Sequence, residues 1–160
     1  MPGRTPRDFP DGGFTLVEVL VMVVVMAVGL LGSVALLLTG FRASRIATRQ
    51  TGAANLAADL GDRIRANRAA GPAYALDAGT VLAPPAKPCV STGECSASEV
   101  AARDLYEWQQ AAMSTLPGAR TSVQVAPAGG APAGNVYRIL VEWAQSEQPA
   151  GARFGLTVQT

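Results

Sequence analysis

Residues 14–38 are apolar almost without interruption, and Glu18 is the single ionisable side chain among them. As a helix rising about 1.5 Å per residue, this run spans roughly 35–40 Å, against about 30 Å of hydrocarbon in a bilayer. The pattern predicts one membrane-crossing helix close to the N-terminus. Over residues 41–68 the polar content rises while the period stays helical. Ile46, Ala53, Leu56, Ala57, Leu60 and Ile64 recur at helical steps as one apolar stripe. No proline interrupts residues 14–71, so a single long helix is expected, with Gly71-Pro72 as its stop.

The next stretch, residues 73–88, is rich in alanine, glycine and proline and reads as an exposed connector. Ser96-Ala97-Ser98-Glu99 is a capping box that opens a second helix. Val100 or Ala101, Leu105, Trp108, Ala112 and Leu116 supply its apolar face, and Pro117-Gly118 ends it. Beyond that point the period becomes two. Residues 121–125, 136–143 and 154–158 read as strands. In the middle one Tyr137, Ile139, Val141 and Trp143 share a face, while Arg138 and Glu142 point the other way. Connections at 127–135 and 148–151 suit antiparallel hairpins. The expected fold class is α+β: a long N-terminal helix packed on a small head, with a second helix and a three- to four-stranded antiparallel sheet.

A chain of 160 residues accommodates one folded domain beyond the apolar helix. It contains no histidine, which removes Ser-His-Asp and Cys-His catalysis, histidine metal sites and histidine pH switches. Glu94, Glu99, Asp104 and Glu107 cluster near a helix start, where the dipole favours them without any chemistry. No enzymatic constellation, metal, cofactor or small-molecule substrate is expected. Cys89 and Cys95 stand six positions apart; in an oxidising compartment a disulfide is the default. Closing so short a ring contributes about 2 kcal/mol by chain entropy. Two free cysteines or half of a metal site are the alternatives, the second being short of ligands.

Gly13-Phe14-Thr15-Leu16-Val17-Glu18, behind a short Pro- and Gly-rich polar leader and ahead of the apolar run, resembles the class III signal of type IV pilins and pseudopilins. The resemblance implies that a prepilin peptidase removes residues 1–13, cutting between Gly13 and Phe14 and methylating the new amine of Phe14. Glu18 then becomes the fifth residue of the processed chain. Residues 14–41 would form the membrane and filament-core half of the helix, and 42–160 a periplasmic head. Each part has a physical reason beside the family one. Gly13 presents no side chain to a protease that must approach the backbone. A carboxylate within a membrane helix costs on the order of 2–3 kcal/mol at the centre and less near the end; the Phe14 ammonium of a neighbouring subunit would offset it. An ordinary signal anchor with a snorkelling Glu18 is the plainer alternative. A cleaved secretory signal fits less well, since the run is too long and lacks a small-residue cleavage site.

Gly29 and Ser33 make a small-xxx-small pair with Gly32 beside them, a spacing that lets membrane helices approach closely, although glycine is common in such helices anyway. Asp62-Arg63-Ile64-Arg65-Ala66-Asn67-Arg68, a cysteine loop, and Asp104-Leu105 followed by Trp108 are together similar to the PilV-type minor pilins. Read without that resemblance, the arginines are a solvated, salt-bridged helix end and Trp108 is core.

Orientation is in conflict. Arg4 and Arg7 precede the span while Arg42, Arg45 and Arg49 follow it, so the positive-inside rule leans towards a cytoplasmic C-terminus. The pilin-like signal and the cysteine pair point to a periplasmic head and are followed here. The expected function is a minor pilin of a bacterial type IV pilus, held in the inner membrane and assembled at or near the pilus tip to prime or modify assembly. Its expected partners are a prepilin peptidase, other minor and major pilins, the inner-membrane assembly platform and inner-membrane lipid. A minor pseudopilin of a type II secretion system is the alternative within the family. A DNA-uptake or adhesive tip module is the alternative from another class and needs a basic or aromatic patch. Arg103, Arg120, Arg138 and Arg153 are scattered along the sequence, Trp108 and Trp143 read as core, and net charge is only +1, so no nucleic acid is expected.

Overall fold

The computed structural model describes residues 13, 15–87, 89, 95–129, 134–145 and 148–160. The leader at residues 1–12 and Phe14 lie outside them, as do Glu94 and the tip of the first hairpin loop. Contacts divide the chain into two units at Ser44/Arg45. Helix α1, Leu16–Ala66, contributes its first part to one unit and the remainder to the other. In the first unit, the large apolar side chains from Leu16 to Phe41 are all at least 50% exposed. Among the described residues nothing covers them, and an apolar surface of that extent requires lipid or other helices.

The second unit follows α1 with a 3-10 segment (Arg68–Tyr74), α2 (Ala97–Thr115), and strands β1 (Arg120–Pro127), β2 (Asn135–Gln145) and β3 (Gln148–Gln159). The strands form an antiparallel meander in the order β1-β2-β3. Ala53, Ala57, Leu60 and Ile64 of α1 are fully buried, at steps of four, three and four residues. They meet Ala101, Leu105 and Trp108 of α2 and Tyr137, Ile139, Val141 and Trp143 of β2 in one core. Both apolar faces read from the sequence are therefore the faces that pack.

Three local readings need correction. The α-helix ends at Ala66, ahead of Gly71-Pro72. Asn67 leaves helical geometry and its side-chain Nδ2 donates to Ala97 O at 2.8 Å, so a contact with α2 accompanies the end of the helix ahead of the glycine. The connector is not uniformly exposed either: Tyr74 and Leu76 are buried, and Leu76 exchanges two backbone hydrogen bonds with Val123 at the β1 edge. Gln109, buried on α2, pins that segment by donating to Thr80 O and accepting from the Leu82 amide. Finally, residues 148–151 belong to β3 instead of a loop, because the register shifts between Trp143 and Gln145. Gly151 occupies φ 73° at that irregularity, where an added Cβ would stand 2.9 Å from Trp143 O.

The two tryptophans differ in a way that is measurable. Trp108 Nε1 donates to Leu56 O at 2.8 Å, tying α2 to α1, whereas the buried Nε1 of Trp143 has no partner among the described residues. Trp108→Phe is expected to lower stability by about 1–2 kcal/mol more than Trp143→Phe, since only the first loses a hydrogen bond and the second removes an unsatisfied donor. Thermal unfolding of the full chain in detergent compares them; equal losses would contradict the assignment.

Candidate assembly site

Gly13 is exposed, and nothing lies within 4 Å of where its Cβ would be. Phe14, the expected new N-terminus, is outside the described residues. Thr15 starts α1: its hydroxyl accepts from the Glu18 amide at 3.3 Å, and its carbonyl accepts from the Glu18 and Val19 amides. Thr15-x-x-Glu18 thus has the spacing of a capping box, a local signal passed over in reading the sequence. Glu18 is exposed in the first turn, at the positive end of the helix dipole.

Gly29, Gly32 and Ser33 are exposed further along the same apolar half, and both glycines face open space. The Ser33 hydroxyl donates to Gly29 O at 3.0 Å, so its polarity is spent inside its own helix. What remains is a low, smooth patch on which another helix could approach.

At the other end of α1 the structure assembles a junction that sequence reasoning missed. Arg63 pairs with Asp59 at 3.0 Å on its own helix and with Asp104 at 3.2 Å and Glu107 at 3.0 Å on α2. The same Asp104, buried on α2, accepts from the Tyr74 hydroxyl at 2.7 Å. Burial and the donation to Asp104 hold the Tyr74 phenol well above its ordinary range. Asp104 therefore joins α1, α2 and the 3-10 segment through one carboxylate. No spacing rule could place it, because Arg63 and Tyr74 reach it from two other elements. The arginine-rich helix end is salt-bridged, as the plain reading had it, but one of its arginines reaches across to α2.

Cys89 and Cys95 are disulfide-bonded, with their Cα atoms 5.7 Å apart. The bridge is seated on the start of α2: Cys95 immediately precedes the Ser96 cap, and Arg103 donates to Cys89 O. Both halves of the capping box form, and Lys87 pairs with Glu99 at 2.8 Å. The Lys87 ammonium, then the Ser96 amide and hydroxyl, pull the Glu99 carboxyl down to about 2 from an ordinary 4.5. A carboxyl held below its unfolded value stabilises fully above that value and loses its contribution as pH falls towards the folded one. The stability difference between the native chain and Glu99→Gln is thus expected to be constant above about pH 5 and to shrink between pH 4.5 and 2. Thermal unfolding over that range reads it, and a difference independent of pH would contradict it.

Among the described residues no group of three or more histidine, cysteine or carboxylate side chains is arranged to hold a metal ion. α1 is long and apolar enough to cross a membrane, with a mean hydropathy of 2.8 over its most apolar window. A membrane-capable helix that continues into an α+β domain with a three-stranded antiparallel sheet is the pilin type of architecture. Residues 35–106, from the middle of α1 into α2, match the model of a family described as Tt1218-like, type IV pilin Tt1218. Over those residues the chain is similar to type IV pilins, a family that is in general structural, and its fold is consistent with theirs. Neither a curated protein nor a solved structure matches it significantly.

Proposed function

We propose that the protein is a minor pilin of a type IV pilus, of the PilV type, anchored in the inner membrane with a periplasmic head. A prepilin peptidase removes residues 1–13 and methylates Phe14, and the processed chain co-assembles with other pilins to prime or modify the filament. The observation that carries this reading is the exposed apolar half of α1 with one carboxylate, Glu18, in its first turn. The match of residues 35–106 to a type IV pilin model, and the bridged pair Cys89–Cys95 as expected of an exported domain, support it. In a bundle of such helices Glu18 is withdrawn from water, and the Phe14 ammonium of a neighbour is the group that offsets its charge.

Glu18→Ala is therefore expected to leave leader cleavage and membrane level unchanged while lowering the protein's share of sheared filaments at least tenfold. Immunoblots of filament and membrane fractions from the same cells measure both. Incorporation at the native level would remove the buried ion pair, and absence of the native protein from sheared filaments would remove the co-assembly reading.

A further inference from the structure

Strand register gathers arginines that lie apart in sequence. Arg120 on β1 is opposite Glu142 on β2, which is opposite Arg153 on β3. Arg138 stands four positions before Glu142 on the same face of β2, opposite Gln124 and Thr157. This is the face turned away from the core, since Tyr137, Ile139, Val141 and Trp143 alternate with it and are buried. The three arginines are exposed and, among the described residues, none has an ion-pair partner, in contrast to Arg63, Arg65 and Arg103. Glu142 is the one acid among them, so the face carries three positive charges against one negative. What looked scattered in the sequence is one basic sheet surface.

The centre of that surface is apolar and low. Leu140, half-buried, lies between the small residues Ser122 and Gly155, with its Cδ1 3.8 Å from where a Gly155 Cβ would stand. At the corner by Arg120 and Glu142 the surface sinks into an open depression of about 330 Å³. An apolar centre bordered by arginines is how protein interfaces are composed. A polyanion fits less well: three phosphate contacts are few beside the six to ten typical of such binders, and Glu142 would repel a phosphate between the two arginines of its row.

We propose that this outward sheet face is a docking surface for the head of a co-assembling subunit that presents carboxylates around a small apolar contact. The inference rests on the co-assembly reading and adds to it a second contact, made by the sheet instead of by α1. Its charges give selectivity among subunits that share the same helix chemistry.

The test uses the full chain expressed with its sibling subunits and scored for incorporation into sheared filaments. The triple variant R120E/R138E/R153E is expected to lower incorporation at least tenfold, while leader cleavage, membrane level and Cys89–Cys95 oxidation stay native. Substitution of the same three positions by lysine is expected to stay within threefold of native, and Leu140→Ala to fall by three- to tenfold. Glu18→Ala is run in parallel. If it abolishes incorporation while the charge-reversed triple variant incorporates normally, the sheet proposal is overturned and co-assembly stands. If both incorporate normally, the sheet proposal and the buried ion pair are overturned while co-assembly stands; if the native chain itself is absent from sheared filaments, the co-assembly reading falls and the sheet proposal with it. Two further measurements use the full chain in detergent at 150 mM salt. Low-micromolar binding to a 30-base-pair duplex, or self-association, that the charge-reversed triple variant abolishes would assign the face to nucleic acid or to a second copy and overturn the proposal.

Discussion

Replacing Asp104 by alanine is expected to destabilise the head by about 3 kcal/mol, the scale of breaking a buried charge pair. Its side chain is 7% exposed and takes both the Tyr74 hydroxyl and the Arg63 guanidinium. The Tyr74 hydroxyl, donating to it at 2.7 Å, would be left buried without a strong acceptor. Arg63 would keep Asp59 and Glu107, both about half-exposed, so the loss stays at the lower end of the range for buried pairs. Asp104→Asn keeps an acceptor for Tyr74 and is expected to lose roughly half as much. Denaturant unfolding of the full chain in detergent, with the disulfide intact, measures both. A loss below about 1 kcal/mol for the alanine variant would show that the junction is not what joins α1 to α2.

Gly61→Leu is the second substitution with a large expected effect. Gly61 is buried on α1, and a Cβ added there would stand 3.1 Å from Val158 Cγ2 and 3.6 Å from Leu156 Cδ2 on β3. One methyl is nearly accommodated. In Gly61→Ala a gain of about 1 kcal/mol in helix propensity roughly cancels a few tenths of an ångström of displacement at Val158. A leucine has no such room and forces α1 and β3 apart, at a cost of about 2–3 kcal/mol. The expected result is an alanine variant close to native and a leucine variant well below it. Similar stabilities for the two would mean that helix and sheet do not approach so closely at Gly61.

These two residues also mark how far the sequence could be read. The apolar span, the capping box at Ser96–Glu99 and the alternation in β2 were legible because each is a local rule, set by spacing within one element. The stripe at Ala53, Ala57, Leu60 and Ile64 was legible for the same reason. Asp104 read as one more charge near a helix start, because nothing local says that Arg63 and Tyr74 converge on it. Gly61 gave no signal, since a glycine at a close approach looks like any glycine in a helix until the opposing strand is placed. Composition also concealed Tyr74 and Leu76: a stretch dominated by alanine, glycine and proline reads as loop even when two of its residues are core. The basic sheet face was invisible for a related reason. Arg120, Arg138 and Arg153 become neighbours only through register.

On the proposed reading, a cut after Gly13 readies the apolar rod to pack beside those of other subunits. Intact-mass measurement of the protein purified from native membranes and filaments tests it most directly. The expected mass is that of residues 14–160 with one added methyl on the Phe14 amine and two hydrogens fewer for the Cys89–Cys95 bridge. A mass corresponding to a chain that still begins at Met1 in both fractions would contradict it.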